Sequence, residues 1–299
     1  MSFRSSLRNW IEYAVARVVL GSLAWTPRSV AEALARFYVW LLDLAVPRLR
    51  HVAMRNLALA LPELSRREHR RIVDGVFRSV ARLTVSFARL PRLHQNDIGE
   101  WIRYEGLEHF HRALRRGRGV LFAAAHLGNW ELSAFAHGLL SGPMDVVVRP
   151  LDNPLLDQLV ERRRSLSGNR ILEKKGVARA VLEALRANRA VGILIDQNAS
   201  LEEGVFVNFF GVPACAGSAF ARLAARSQAT VIPGFALWSE TERRYVLRFY
   251  PPLEMTGDVN ADTQRLHSQL ESVIRQHPDQ WLWFHRRWKT RPPGDPPLY

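Results

Sequence analysis

The chain has 299 residues, of which 47% are hydrophobic, and its 42 Lys and Arg against 28 Asp and Glu give a formal net charge of +14. This length can bury a substantial core, and the apolar content excludes an intrinsically disordered chain. The single cysteine, Cys215, excludes an intrachain disulfide framework and a multi-cysteine zinc site, and it fits a reducing compartment.

Arginine supplies almost all of the positive charge, because only Lys174, Lys175 and Lys289 are lysines. The planar guanidinium group matches phosphate and carboxylate, so this bias indicates an anionic partner. A genome that encodes Arg in place of Lys would produce the same bias without any partner. Nucleic acid, an anionic membrane surface and an acidic small substrate therefore stay open at this point.

The amino-terminal residues 1–46 are predicted to form a helical membrane-anchoring segment. No small-residue cleavage site follows its first apolar stretch, which argues against a signal peptide. Charged residues interrupt both of its apolar stretches, so neither offers the roughly 18 apolar residues of a spanning helix. We expect residues 8–46 to be a helical pair in the membrane interface, and an ordinary packed helical hairpin is the alternative. Its aromatic residues suit the headgroup level: Trp10, Trp25, Tyr38 and Trp40.

The rest of the chain is predicted to be an α/β domain. Residues 48–90 are helical and basic, with a capping box from Ser65 to Glu68. Short apolar runs then alternate with helical patterns, which indicates a mainly parallel central sheet with helices on both faces. We expect one α/β domain at 47–291 and a loose Pro-rich tail at 292–299. Strands are predicted at 119–125, 145–149, 190–195, 230–238 and 245–250, and helices at 130–140, 154–167, 176–188 and 261–277.

Polar residues follow three of the predicted strands: His126, Arg149 and the pair Asp196-Gln197. Ligands of such sheets bind beyond the carboxyl ends of the strands, so these residues are candidates for one site. The alternative for Asp196 is a simple helix N-cap at the end of its strand.

The strongest candidate is His126 with Glu131 five residues later, because a carboxylate that binds one imidazole nitrogen leaves the other as a general base. Gly128 permits a tight turn that would bring Glu131 back to the ring, although a satisfied strand-end histidine remains the alternative. The same spacing recurs in His69 and Asp74, but there it lies inside an Arg-rich helix and predicts a solvated surface.

A histidine base without a nearby Ser or Cys nucleophile suits direct transfer of a group to a bound hydroxyl. The developing oxyanion needs donors, and the backbone N–H groups of Gly128 and Asn129, or the side chain of Arg149, are candidates. Metal catalysis is not indicated, because no second histidine lies close to His126 in the sequence.

The segment AAAHLGNWE at residues 123–131 resembles the signature of the lipid A biosynthesis acyltransferases, the lauroyl and myristoyl family within the glycerolipid acyltransferase group. Further blocks follow in the family's order and extend the resemblance over residues 50–291. They are Arg55-Asn56-Leu57 with Pro62 and Glu68; Arg149-Pro150, Asn153-Pro154 and Arg164 to Gly168; Asp196-Gln197, residues 204–207 and Phe209-Phe210-Gly211; and Gln280 to Trp283 with His285 to Lys289.

The resemblance implies a glycerolipid acyltransferase-like fold, with His126 and Glu131 as the catalytic dyad. It also implies substrate-binding roles for Arg149 and Arg164, which would contact phosphate on the acyl donor or acceptor. Asp196 and its neighbour Gln197 carry over as substrate-binding residues of less defined role. Asn129, which belongs to the signature itself, is also expected to bind substrate.

The reaction implied by the resemblance is transfer of a fatty acyl chain from an acyl carrier protein or coenzyme A thioester to a hydroxyl of a lipid A precursor. It needs no cofactor beyond that co-substrate. The implied place is the cytoplasmic face of the inner membrane, where the basic surface would meet anionic headgroups and an acidic carrier protein. Residues 211–217 lack the Thr common after the family's FFG block, so another lyso-lipid or a mannosylated inositol lipid stays open as acceptor.

Two functions of other classes remain as alternatives. A basic nucleic-acid-binding protein would explain the charge, but no helix-turn-helix, RNP or zinc-finger pattern is present in the sequence, and we expect no nucleic-acid partner. A membrane scaffold without activity would keep membrane binding and show no turnover.

Overall fold

The computed structural model describes residues 3–174 and 176–299, so residues 1 and 2 of the predicted anchoring segment lie outside the described residues. Four helices come first: α1 (Phe3–Trp25), α2 (Arg28–Ala45), α3 (Pro47–Ala60) and α4 (Arg66–Arg89). The predicted capping box opens α4, where the Glu68 amide donates to the Ser65 hydroxyl at 3.3 Å and the Ser65 amide donates to the Glu68 carboxylate at 2.7 Å.

Strands and helices alternate through the rest of the chain. They are β1 (Ile102–Glu105), α5 (Leu107–Leu114), β2 (Val120–Ala124), α6 (Trp130–Leu140), β3 (Asp145–Val148), α7 (Pro154–Arg164), β4 (Arg170–Glu173), α8 (Ala178–Arg186), β5 (Ala190–Leu194), β6 (Gly204–Phe209), β7 (Val212–Gly217), α9 (Ala219–Ser227), β8 (Thr230–Ser239), β9 (Arg244–Phe249) and α10 (Val259–Gln276).

In the described part of the chain, the main sheet has seven strands in the order β1-β9-β8-β2-β5-β3-β4. Strands β8 and β9 are antiparallel, and the other neighbours run parallel. Along β2, Val120 and Phe122 belong to one hydrophobic core, whereas Leu121 and Ala123 belong to another. Successive side chains of a strand point to opposite faces, so both faces of the sheet are covered. The predicted α/β fold is confirmed.

Four strands were not predicted. β1 and β4 have only four residues each, too few to show a pattern. β6 and β7 form a separate antiparallel hairpin within the charge-free run at residues 204–221.

The amino-terminal helical pair packs on α4. Leu23 of α1 and Ala31 and Ala35 of α2 are buried in the same core as Val76 of α4. The opposite side of the pair is apolar and open to solvent, and we call it the amino-terminal apolar face; its exposed side chains are Leu7, Trp10, Ile11, Val15, Val18, Trp25, Val30, Phe37, Trp40, Leu41, Leu42 and Leu44. Among the described residues, no helix combines the length and the apolar character needed to cross a membrane.

Two local predictions are wrong. His69 is buried instead of solvated. The carbonyl oxygen of Leu61 lies 2.9 Å from its ring nitrogen Nε2 and gives the buried ring a hydrogen-bond partner. The tail at 292–299 is not loose at its end. The hydroxyl of Tyr299 donates to the side chain of Asn56 and accepts from the backbone amide of Trp288 at 3.2 Å, so it ties the tail to the core.

Candidate active site

Two neighbouring parallel strands bring His126 and Asp196 together. Ala124 of β2 is paired with Leu194 of β5, and each site residue follows its strand position by two residues. The offset is equal, so both side chains emerge side by side at the carboxyl edge of the sheet. The imidazole Nδ1 of His126 lies 2.9 Å from Asp196 Oδ1, and the backbone amide of His126 donates to Asp196 Oδ2 at 3.1 Å.

Asp196 is almost fully buried and accepts a third hydrogen bond, from the indole Nε1 of Trp281 at 2.8 Å. Burial acts to raise the pKa of Asp196, but the charge of His126 and the bonds from His126 and Trp281 outweigh burial and hold the pKa well below its usual range. The carboxylate is therefore ionised at neutral pH. The alternative that Asp196 is only a helix N-cap is wrong, since its oxygens bind His126 and Trp281.

The electrostatics of His126 follow from the same contact. Burial acts to lower its pKa, but the charge of Asp196 and their hydrogen bond outweigh burial, so the pKa is raised. With Nδ1 bound to a carboxylate, the tautomer with its proton on Nδ1 is favoured and Nε2 is left as the basic nitrogen. The ring is steadied by Trp130, which it meets edge to face at 4.9 Å between centroids.

Glu131 does not take the place predicted for it beside the imidazole. Glu131 lies in the first turn of α6, and Arg164 of α7 donates to it through Nε at 2.9 Å and through Nη2 at 2.5 Å. The pair is largely shielded, with 10% of the Glu131 side chain and 24% of the Arg164 side chain exposed. The carboxylate that binds the imidazole is Asp196, because the helical turn directs Glu131 towards α7 instead.

The turn at Gly128 and Asn129 cannot supply the predicted oxyanion donors in this conformation. The Gly128 amide donates to the Gln280 carbonyl at 2.8 Å, and the Asn129 amide donates to the Ala236 carbonyl at 2.9 Å. Gly128 has a φ of +66°, and a Cβ there would lie 1.9 Å from the Ala236 oxygen, which explains why this position requires glycine.

Asn129 is structural in this arrangement. Its side chain is fully buried, accepts from the Leu132 amide at 3.0 Å as the N-cap of α6, and donates to the Ser86 hydroxyl at 2.7 Å. Both ends of the amide are therefore occupied within the protein. The prediction that Asn129 binds substrate is not supported by its position.

One cavity of about 870 Å³ connects the remaining predicted residues. His126, Glu131 and Arg164 line it, as do Arg149 and Gln197. The Arg149 side chain is 77% exposed and donates at 3.0 Å to Asp152, which is even more exposed, so the guanidinium is accessible from solvent. The cavity also has a buried apolar wall, which suits a hydrocarbon ligand: Phe122, Phe135, Met144, Phe235 and Phe249.

The sequence did not predict how residues 280–282 complete the site. Trp281 forms an antiparallel bridge with Leu127, and the Leu282 amide donates to the His126 carbonyl at 2.9 Å. Together with the Gln280 carbonyl on Gly128, these bonds fix the loop that carries His126. The segment lies about 155 residues from His126 along the chain. Its clustered Trp residues were the sequence signal that could have indicated its part in the site.

Comparison with known proteins gives a consistent result. The profile of the bacterial lipid A biosynthesis acyltransferases matches residues 2–290 of this chain. The lipid A biosynthesis lauroyltransferase of Escherichia coli (strain K12) is 30% identical over 251 residues, which cover 83% of this chain and 81% of that protein. The lipid A biosynthesis palmitoleoyltransferase of the same organism is 28% identical over 255 residues, covering 84% and 82%. A lipid A biosynthesis acyltransferase of Haemophilus influenzae is 29% identical over 289 residues, covering 95% and 90%.

Proposed function

Because the chain belongs to the bacterial lipid A biosynthesis acyltransferase family, we propose that it transfers a fatty acyl chain from an acyl thioester to a hydroxyl of a lipid A precursor, with His126 as general base. The observation that supports this proposal best is the His126–Asp196 pair on an apolar cavity of about 870 Å³. The cavity has room for a hydrocarbon chain, and the base lies on its wall.

In the proposed step, Nε2 of His126 takes the proton of the acceptor hydroxyl while the oxygen attacks the thioester carbonyl. The tetrahedral intermediate then expels the thiolate, which takes the proton from the imidazolium, so ester and thiol are the products. Asp196 stabilises the imidazolium between these steps. No covalent acyl-enzyme is required.

The proposed roles of the arginines follow from their positions. Arg149 is an accessible cation on the cavity and is proposed to bind phosphate or the developing oxyanion. Arg164 is held by Glu131, so we propose that Glu131 serves the reaction by placing this guanidinium and not by binding the imidazole. This arrangement replaces the His126–Glu131 dyad as the mechanism.

We propose that the protein lies on the cytoplasmic face of the inner membrane, with its amino-terminal apolar face in the interface. The exposed Trp10, Trp25 and Trp40 support this, since indole rings favour the headgroup level. The net charge of +14 would attract both anionic headgroups and an acidic acyl carrier protein. We propose acyl carrier protein or coenzyme A as the thioester carrier and no further cofactor.

The test is turnover by the purified protein in mixed micelles with a lipid A precursor and lauroyl thioesters of acyl carrier protein and of coenzyme A. Mass spectrometry of the lipid product should show one added acyl chain, and His126→Ala should lose at least about 10²-fold in rate. A panel with lysophospholipid and mannosylated inositol lipid tests the acceptor. Acylation of one of those alone would overturn the lipid A assignment, and no turnover with any pair would overturn the proposed reaction.

A further inference from the structure

We infer that Trp281 is a positioning residue for the base, acting through the hydrogen bond from its indole N–H to Asp196, an inference that rests on the proposed function. Trp281 is 1% exposed, and its Nε1 lies 2.8 Å from Asp196 Oδ2. The opposite oxygen, Oδ1, binds His126 Nδ1 at 2.9 Å. The carboxylate therefore joins the imidazole of His126, which takes part in proton transfer, to the indole of Trp281, which does not.

The geometry shows what the Trp281 donor adds. The other two donors to Asp196, the imidazole Nδ1 and the backbone amide, both belong to His126, so among the described residues only the indole binds the carboxylate from outside the residue that it positions. The indole is rigid, its backbone is bridged to Leu127, and its ring packs edge to face on Trp283 with 4.5 Å between centroids. Trp281 therefore fixes the plane of the carboxylate, and the carboxylate in turn fixes the plane of the imidazole.

The indole also limits the basicity of Asp196. A hydrogen bond to a charged carboxylate stabilises the charged form and draws charge away from the oxygen that faces His126. Without it, Oδ1 attracts the imidazolium more strongly, so the pKa of His126 rises and less of the base is neutral at a given pH.

Other charged and titratable groups surround this pair and are unchanged by a substitution at Trp281. Glu131 and Arg164 face His126 from α6 and α7, while His285 and Arg287 of the carboxyl-terminal segment and His267 of α10 lie near Asp196. Burial lowers the pKa of both His267 and His285 to about 4, so they stay neutral in the range where His126 titrates.

The chain offers a matched control. Trp283 is also buried and donates its indole N–H, but to the backbone carbonyl of Pro278 at 2.7 Å. Trp281→Phe and Trp283→Phe therefore each remove one indole from the same aromatic cluster, and only the first removes a bond to the site.

The experiment combines kinetics with NMR of the full chain in detergent micelles. We expect Trp281→Phe to lower kcat by about tenfold, the effect of a lost hydrogen bond to a charged group, with little change in KM. The His126 pKa, followed by NMR of ¹⁵N-labelled histidine, should rise in Trp281→Phe and stay at the wild-type value in Trp283→Phe. In an Asp196→Asn background, Trp281→Phe should add almost nothing, because the bond acts through that carboxylate.

A wild-type measurement keeps the test valid if Trp281→Phe does not fold. The indole N–H resonance of Trp281 should shift as His126 titrates, while that of Trp283 should not. An unmoved Trp281 resonance, an unchanged His126 pKa in a folded Trp281→Phe, or equal losses of kcat in both Phe variants would overturn the inference. Absence of acyl transfer by the wild type would instead overturn the proposed function, since the NMR readouts do not depend on turnover.

Discussion

The carboxylate of Asp196 holds the imidazole of His126 at 2.9 Å, although 70 residues separate the two in sequence. Glu131, only five residues from His126, is instead bound to Arg164. Pairing across adjacent strands therefore decides the partner of the base, and proximity along the chain does not.

Replacement of Asp196 by Asn should lower kcat by about 10²-fold or more, because the amide cannot stabilise the imidazolium and can stabilise the wrong tautomer of His126. Asp74→Asn is the matched control, since that carboxylate of α4 is 50% exposed, pairs with Arg50 and does not line the cavity. Steady-state acyl transfer measures both. Comparable rates for Asp196→Asn and the wild type would contradict the assignment of Asp196.

The pH dependence of kcat/KM should have an acid limb centred above pH 6.5, the ordinary pKa of histidine, because Asp196 raises the pKa of His126. The base must be neutral, so the rate falls as the pH drops through this raised pKa. Asp196→Asn removes the negative charge and should move the limb to lower pH. A limb that stays in place in Asp196→Asn would show that another group controls it.

Glu131→Gln should lower kcat/KM because Arg164 loses its bidentate partner and its fixed position on the cavity wall. Arg164→Gln should act on the same element, so the two losses should not add in the double variant. Rates from the four proteins of this cycle measure the coupling. Full additivity would indicate that Glu131 acts independently of Arg164, for example directly on His126.

Arg149→Lys should lower kcat/KM by about tenfold, because an ammonium group cannot reproduce the two-pronged contact of a guanidinium with phosphate. Arg179→Lys controls for the loss of an exposed arginine in an ion pair, here with Glu183 on α8. Unaltered kinetics in Arg149→Lys would show that the Arg149 guanidinium does not bind the substrate.

Vesicle binding should depend on the amino-terminal apolar face. Trp10→Glu and Trp40→Glu should each weaken cosedimentation with anionic vesicles by about tenfold or more, since each removes a large apolar side chain from the interface. Leu201→Glu alters an exposed apolar residue elsewhere on the surface and should leave binding unchanged. Equal effects of all three substitutions would indicate a general effect of charge.

The sequence predicts much of this fold because many of its elements carry strong local signals. The capping box at Ser65 and the apolar runs of β2 and β5 depend on neighbouring residues alone, and the structure has them as predicted. The partner of His126 depends on strand register, which local patterns leave open. The indole of Trp281 reaches the site only through tertiary packing, so no local pattern could place it there.

The site is complete only when residues 280–282 have docked on the loop at 126–128. Until that contact forms, the Gly128 amide and the His126 carbonyl lack their partners, and Asp196 lacks one of its donors. Contacts of such long sequence separation form late and cooperatively. During refolding, acyl transfer activity should therefore recover together with the last fluorescence change of the buried tryptophans. A partly folded chain should show no acyl transfer.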